Sequence, residues 1–333
     1  FTYKLPDELL PAIQVGGWVK VPFGRGSTHA FVVEAPKALS EVPAGFSLDG
    51  LKSIQEVGEG GAIFPPEVLA LCHWAHEYYR SPLGEVLHCA APPAALGLKN
   101  ARKEARPLDA FDVMGVKAHP LTEEQKEALV AIEAIRRDGV PGHPQAPRVA
   151  LLHGVTGSGK TEIYLELARR TLAEGKGVLL LVPEIALTPQ LHRRFEENLG
   201  VPVALWHSAV ASGKRRDEGA ALRSGQLRVA VGARSAVFAP VKDLGLIVID
   251  EEHDPTYKQE ERVRYHARDL AVVRAKIGGA TVVLGSATPS LETRERVREG
   301  RYGVAHLTKR VAAGGLPQIE IVNLCTEEKV TDT

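Results

Sequence analysis

The segment RVALLHGVTGSGKTE, residues 148–162, decides which fold this chain can form. The apolar run RVALL predicts a short buried strand, and the apolar residues after the loop recur at helical spacing. Between them lies GVTGSGKT, which meets every fixed position of the P-loop pattern. A strand, a glycine-rich loop and a helix in this order are typical of a cradle for nucleotide phosphates.

The chemistry of this loop suits phosphate. Its backbone N–H groups and the positive end of the following helix dipole would point at phosphate oxygens. We predict that Lys160 reaches the outer phosphates and that the Thr161 hydroxyl holds magnesium. A strand-to-helix turn whose glycines only relieve backbone strain is the alternative, which the surrounding pattern disfavours. The predicted ATP-binding residues of the loop are Gly154, Thr156, Gly157, Ser158, Gly159, Lys160 and Thr161.

Further apolar runs surround the loop. They lie at residues 148–152, 177–182, 202–206, 227–231, 244–250 and 280–285. Their hydrophobicity is continuous rather than alternating, which predicts strands covered on both faces and hence a mostly parallel sheet. In such sheets ligands collect beyond the carboxyl ends of the strands.

Two of these strand ends carry polar motifs. LIVIDEEH, residues 246–253, would place the Asp250 carboxylate near magnesium and Glu251 near the water that attacks the terminal phosphate. LGSATPS, residues 284–290, offers two hydroxyls that could relay the state of the phosphate site. The alternatives are an ordinary solvated turn for the acids and a turn capping a helix near Ser290 for the hydroxyls.

Composition sets broader limits on the class of protein. The 333 residues suffice for two or three domains, and 41 basic residues balance 41 acidic ones, which leaves a local basic groove possible. Cys72, Cys89 and Cys325 show neither metal-ligand spacing nor a disulfide framework. The chain has no apolar run of membrane-spanning length and no signal-peptide layout at its start. We therefore expect a cytoplasmic protein, monomeric and without a membrane partner.

The amino-terminal third differs from the rest. Up to residue 96, short β-type runs are separated by Gly and Pro, and a helix with Pro at its start is predicted after Phe64. Residues 97–119 are charged and weakly periodic, which predicts a linker. The sequence thus predicts an α/β fold, in which a small β-rich domain (1–96) and this linker precede a P-loop lobe with a parallel sheet (120–333).

Several long blocks resemble one family. GVTGSGKTE, VPEIALTPQ, GARSAVFAP, VIDEEHDPTYKQEERVRYHARDLA and LGSATPSLET are similar to the primosomal protein N-prime family, bacterial replication-restart helicases of superfamily 2. The resemblance is strong over residues 120–310 and extends into 1–95 through VPFG and YYRSPLGEVL. A small-molecule kinase would have no reason to carry the Ser-Ala-Thr (SAT) motif of residues 286–288, whereas a nucleic-acid motor has a reason to carry it.

The resemblance implies an activity. It predicts a RecA-like motor lobe that uses ATP and Mg²⁺ to move 3′ to 5′ on single-stranded DNA, behind an amino-terminal domain that binds 3′ ends of DNA. The implied partners are replication forks, single-stranded-DNA-binding protein and other primosomal proteins. A fork-binding scaffold that recruits those partners without unwinding remains the alternative, although intact Lys160, Asp250 and Glu251 disfavour it.

The resemblance also assigns residues. Gln125, in LTEEQ, would read adenine, and it also sits in a capping box begun by Thr122. The implied coupling residues are His253, Ser286 and Thr288, and the implied DNA-binding residues are Phe1, Thr2, Gly24, Lys52, Thr188, Gln190, Arg234, Ser235, Tyr257 and Tyr265. The two tyrosines lie in the family's aromatic-rich loop and are expected to stack on bases.

The chain departs from the family pattern in five places. Val263 replaces a tryptophan of that loop, Ala233 replaces a threonine, and Thr2 replaces an aspartate of the 3′-end pocket. The linker is too short for the family's winged-helix domain. The resemblance also implies that the arginine finger and the zinc-binding cysteine pairs belong to a second lobe outside this chain. We therefore expect these residues alone to bind ATP but hydrolyse it very slowly.

Overall fold

The computed structural model describes residues 1–41, 49–91, 120–143, 145–207 and 210–311. Its amino-terminal part is an antiparallel sheet with the strand order β2-β1-β3, formed by β1 (Trp18–Phe23), β2 (Gly26–Phe31) and β3 (Glu56–Val57). Helices α1 (Pro66–Tyr78) and α2 (Leu83–Ala90) follow it. The helix predicted after Phe64 is confirmed as α1, with Pro65 and Pro66 at its start. The predicted linker and Cys325 lie outside the described residues.

The second part is built on a seven-stranded sheet. Its helices are α3 (Glu123–Asp138), α4 (Lys160–Ala173), α5 (Pro189–Leu199), α6 (Ser212–Ser224), α7 (Ala267–Gly278) and α8 (Leu291–Arg298). In chain order its strands are β4 (Arg148–Gly154), β5 (Gly177–Leu181), β6 (Val203–Trp206), β7 (Val229–Gly232), β8 (Leu244–Ile249), β11 (Thr281–Ser286) and β12 (Gly303–Leu307). A short hairpin of β9 (Lys258–Gln259) and β10 (Tyr265–His266) stands apart.

All neighbouring strands of this sheet pair in parallel, in the order β12-β4-β11-β8-β5-β7-β6. The predicted α/β fold and all six predicted strands are confirmed. The seventh, β12, was missed because its residues alternate between buried and exposed instead of forming a continuous apolar run. The central strands β5, β7, β8 and β11 are buried along their whole length, as expected for a sheet covered on both faces.

The two amino-terminal helices pack against the second part. Helix α1 contacts α7, and one hydrophobic core contains Val68 and Leu71 of α1 together with Leu270 and Ala271 of α7. In the same region the buried Arg274 donates from Nη1 to Val237 O at 2.6 Å and from Nη2 to Ala239 O at 2.7 Å. Burial lowers the pKa of Arg274 to about 10. The helices therefore share a core with the lobe, and the proposed boundary at residue 96 stays a prediction.

A buried carboxylate fastens the end of β8 to two helices. Glu252 has 0% of its surface exposed and accepts hydrogen bonds from Arg268 Nη1 at 3.0 Å and from the Ser290 amide at 2.7 Å. The hydroxyls of Ser290 and Thr293 donate to the same carboxylate, at 3.0 and 2.9 Å. Donors therefore reach both carboxylate oxygens and fix the position of the Glu252 side chain.

Replacing this carboxylate by an amide should destabilise the fold. We expect Glu252→Gln to lower the free energy of unfolding by about 2 to 4 kcal/mol, because one amide NH₂ must face a buried donor. The neighbouring Glu251→Gln is the matched control, since Glu251 is only partly buried, and should cost about 1 kcal/mol or less. Chemical denaturation measures both, and equal losses would contradict a special role for Glu252.

Candidate nucleotide site and DNA-binding surface

The P-loop connects β4 directly to α4. The strand ends at Gly154 and the helix begins at Lys160, as the pattern predicts. Gly159 has a φ of +80°, and a Cβ there would lie 2.3 Å from Gln125 Nε2. Only glycine therefore fits both the backbone conformation and the close approach of the glutamine.

Gln125 fixes the loop from the side. Its Nε2 donates to Ser158 O at 3.1 Å, while its Oε1 accepts from the Thr122 amide at 2.9 Å. Thr122 Oγ1 accepts from the Gln125 amide in return, which confirms the predicted capping box. One buried side chain thus starts α3 and holds the P-loop backbone. Its contact with adenine stays a prediction.

Two side chains of the loop are poised for a phosphate. Lys160 is 8% exposed, and its Nζ donates to Gly154 O at 2.9 Å and lies 3.7 Å from Glu251 Oε1. Ser158 Oγ is buried and has no hydrogen-bond partner among the described residues. A buried polar atom without a partner costs free energy unless a ligand completes its contacts. The cradle therefore fits an anionic oxygen ligand.

The predicted magnesium ligands come together. Thr161, on α4, and Asp250, after β8, line the same small cavity. Asp250 Oδ1 accepts from Tyr164 Oη at 2.9 Å. Burial raises the pKa of the Asp250 carboxyl, and this hydrogen bond opposes part of the rise. A hydroxyl and a carboxylate are oxygen donors of the kind Mg²⁺ prefers, so these residues fit the ion.

Glu251 occupies a strained position between Lys160 and His253. Its φ is +43°, in the left-handed region that a residue with a Cβ rarely adopts. One carboxylate oxygen lies 3.7 Å from Lys160 Nζ, and the other lies 3.7 Å from His253 Nδ1. Such strain is often found at functional sites, where the surrounding contacts hold the residue in place.

His253 joins the DEEH and SAT motifs. Its Nδ1 lies 2.8 Å from Ser286 Oγ, and its Nε2 lies 3.3 Å from Thr288 Oγ1. The structure therefore brings all three predicted coupling residues into contact. Ser290 also caps α8 by accepting from the Thr293 amide, so the SAT segment forms a helix cap as well as a contact with His253.

The two tyrosines expected to stack on DNA are buried. Tyr257 is 1% exposed and donates from its hydroxyl to Asp250 O at 2.7 Å. Tyr265 is 5% exposed and packs edge-on against Phe238 at 5.5 Å. Val263 is also buried. The prediction that these tyrosines bind bases is wrong, because the β9–β10 hairpin turns the aromatic side chains of this polar segment inward.

This hairpin is held from two sides, which the sequence did not reveal. Arg234 Nη1 donates to Thr256 O at 3.3 Å and to Lys258 O at 2.7 Å, so the predicted DNA contact also anchors the hairpin. The His266 amide donates to Tyr79 Oη, just beyond α1, at 3.3 Å. The hairpin therefore connects the amino-terminal helices to the acidic end of β8.

The other predicted DNA-track residues lie along one sheet edge. Thr188 caps α5 by accepting from the Leu191 amide at 3.2 Å, and Gln190 beside it is exposed. Arg234 and Ser235 follow β7, the direct neighbour of β5. Both pairs therefore follow the carboxyl ends of adjacent strands, and their contact with DNA stays a prediction.

Three of the four predicted 3′-end residues form one exposed face. The Phe1 ring is fully exposed and stands edge-on to Phe23 at 5.4 Å. Lys52 Nζ donates to Gly24 O at 3.4 Å, and Gly24 has a φ of +57°. Phe23, half exposed, was missed by the sequence analysis, although it directly precedes Gly24. Thr2 is exposed next to Phe1.

The described ranges hold neither a candidate metal cluster nor a membrane-spanning helix. They contain no group of three or more His, Cys, Asp or Glu side chains placed to hold a metal ion. None of their helices combines the length and the apolar character needed to span a membrane.

This chain is similar to known families and proteins. Residues 1–92 match a family described as 3′DNA-binding domain (3′BD), and residues 122–297 match DEAD/DEAH box helicase. Replication restart protein PriA of Bacillus subtilis is 46% identical over 62% of this chain and 25% of its own length. Replication restart protein PriA of Rickettsia felis is 35% identical over 99% of this chain and 47% of its own length. The solved structure of RecG bound to a three-way DNA junction aligns with a TM-score of 0.42 and 25% sequence identity. The alignment covers 59% of this chain and 25% of the RecG chain.

This chain spans about half the length, or less, of these PriA relatives. The family resemblance expected from the sequence is confirmed, over both the amino-terminal region and the motor lobe. The chain belongs to the DEAD/DEAH box helicase family and is a relative of replication restart protein PriA.

Proposed function

We propose that this chain is the 3′-end-reading and nucleotide-binding part of an ATP-dependent 3′ to 5′ DNA helicase that restarts replication at stalled forks. The observation that carries the proposal is the meeting of three motifs at one sheet edge. Lys160 approaches Glu251, and His253 bridges from the same acidic segment to Ser286 and Thr288. A scaffold that never hydrolysed ATP would not need this convergence.

Each side chain of the nucleotide site has a role in this proposal. Lys160 would leave Gly154 O and bind the outer phosphates, and the loop amides would hold the inner ones. Thr161 and Asp250 would hold Mg²⁺, which when bound neutralises charge on the phosphates. Glu251 would accept the proton of the attacking water, because its partly exposed carboxylate lies 3.7 Å from the lysine that would hold the outer phosphates.

Coupling to DNA would run through contacts already present. The His253 ring touches both hydroxyls of the SAT motif, so a change at Glu251 can shift that segment. Arg234 lies on the proposed DNA track and holds the hairpin whose Tyr257 binds Asp250 O. Thr188, Gln190 and Ser235 would contact the strand backbone without reading its sequence.

The exposed face around Phe1 would bind the 3′ end of a nascent strand. Residues 1–95 carry six Lys and Arg against ten Asp and Glu, the wrong balance for coating phosphates by charge alone. A pocket needs only a few placed groups. Phe1 would stack on the terminal base, and Lys52 would bind a phosphate. The turn at Gly24 would let the protein backbone approach the terminal base.

Partners follow from the same proposal. A whole protein of this kind would meet single-stranded-DNA-binding protein and other primosomal proteins at the fork. The zinc expected for the family would belong to a part of the protein beyond the residues described here.

Removing the P-loop lysine tests the nucleotide site. Lys160→Ala should weaken Mg²⁺·ATP binding by about 100-fold or more, because a buried cation that pairs with phosphate is lost. Lys276→Ala removes an exposed lysine of the same lobe and should leave the affinity unchanged. Titration with a fluorescent ATP analogue measures both. Equal affinity in Lys160→Ala and the unaltered chain would refute the proposed site.

Replacing Thr2 tests the 3′-end pocket. The neutral Thr2 hydroxyl can bond a 3′ hydroxyl without repelling a 3′ phosphate, so we expect fork binding that discriminates weakly between these ends. Thr2→Asp should restore preference for the 3′ hydroxyl through charge repulsion. Fluorescence anisotropy with forks that differ only at this end measures the ratio.

The matched control for added charge is Ser40→Asp, at another exposed position of the same region. Ser40→Asp should lower the affinity for both forks by the same factor or leave it unchanged. Strong hydroxyl selectivity in the unaltered chain, or no gain of selectivity in Thr2→Asp, would contradict the pocket.

A further inference from the structure

Tyr164 is buried at the centre of the nucleotide site, yet no P-loop pattern calls for it. It lies on α4, one helical turn after Thr161, and only 1% of its surface is exposed. Its hydroxyl donates to Asp250 Oδ1 at 2.9 Å, across 86 positions of sequence. A buried phenol usually finds a hydrogen-bond partner, but here the partner is the proposed metal ligand.

The SAT strand leaves room for this hydroxyl. A Cβ on Gly285 would lie 1.6 Å from Tyr164 Oη and 2.7 Å from its Cζ. Any side chain at position 285 would therefore drive the phenol away from Asp250. Position 285 belongs to β11, which pairs with β8 beside Asp250. Three elements thus fix one hydrogen bond. Helix α4 carries the donor Tyr164, the end of β8 carries the acceptor Asp250, and Gly285 of β11 leaves room for the hydroxyl.

A carboxylate that binds a metal must hold one rotamer. Thr161, Tyr164 and Asp250 line a single cavity whose other walls are mainly apolar, including Leu180, Val248 and Phe195. Apolar walls do not orient a carboxylate. The Tyr164 hydroxyl binds one of its two oxygens, and that bond can direct the other toward the Thr161 side of the cavity.

We propose that Tyr164 is a positioning residue that orients Asp250 for Mg²⁺, with Gly285 keeping its hydroxyl in place. The assignment rests on the proposed function, in which Asp250 and Thr161 hold Mg²⁺ beside ATP. Groups that orient metal ligands typically change metal affinity by about 10- to 100-fold when they are removed. Tyr164→Phe removes only the oxygen and keeps the ring that fills the core.

The experiment is a Mg²⁺ titration of nucleotide binding. With a fluorescent ATP analogue present throughout, Tyr164→Phe should need about 10-fold or more Mg²⁺ for half-maximal enhancement of binding. Its affinity for the analogue in EDTA should equal that of the unaltered chain, because the phosphate cradle is untouched. A general loosening of the fold would weaken binding in EDTA as well.

Tyr257→Phe is the matched control. It removes an equally buried hydroxyl bound to the same residue, but that hydroxyl donates to the backbone oxygen of Asp250 and not to its carboxylate. It should keep a nearly unaltered Mg²⁺ requirement, whatever stability it loses. Thermal denaturation of both variants checks that they fold.

The outcomes separate the two proposals. An unaltered Mg²⁺ requirement in Tyr164→Phe, or an equal shift in Tyr257→Phe, overturns the role of Tyr164 while leaving the nucleotide site intact. Nucleotide binding that Mg²⁺ does not enhance even in the unaltered chain overturns the proposed metal site, and this assignment with it.

Discussion

Parallel pairing of β4, β11 and β8 is the constraint on which the site depends. Since β11 pairs with both neighbours in parallel, the ends of all three strands open onto one edge of the sheet. That edge therefore receives the P-loop, the acidic DEEH segment and the SAT segment together. Lys160 Nζ lies 3.7 Å from Glu251 Oε1, and His253 Nδ1 lies 2.8 Å from Ser286 Oγ, because of this pairing. An antiparallel strand in the middle of the sheet would send one of these segments to the opposite edge.

Several energetic costs of the fold lie at the same edge. Asp250 is a carboxyl whose pKa is raised by burial, Glu251 adopts a left-handed backbone, and Ser158 Oγ is buried without a partner. Each would be unfavourable in an ordinary core. They are held in place by contacts just outside them: Glu252 anchors the acidic segment with four hydrogen bonds, and Gln125 braces the loop. A rigid frame thus supports a site that is costly without its ligand.

The amino-terminal region and the motor lobe are physically continuous. Helix α1 shares a core with α7, and Tyr79 accepts a hydrogen bond from the hairpin that also carries Tyr257. Tyr257 directly precedes the first strand of that hairpin, and its hydroxyl donates to Asp250 O. A chain of packed and hydrogen-bonded groups therefore runs from the amino-terminal helices to the acidic end of β8.

The sequence by itself determined the P-loop, six strands, helix α1 and the capping box of Thr122 and Gln125. Each is encoded by neighbouring residues, through hydrophobic period, glycine position or turn chemistry, so a local pattern suffices. The family resemblance named His253, Ser286 and Thr288 as coupling residues, and the structure brings them into contact. Only the tertiary structure decided that Tyr257 and Tyr265 face inward, that Arg234 holds a hairpin, and that Tyr164 meets Asp250 in the space left by Gly285. Those facts depend on pairing between segments far apart in the chain, and a loop's own residues do not specify which of its side chains the rest of the fold will cover.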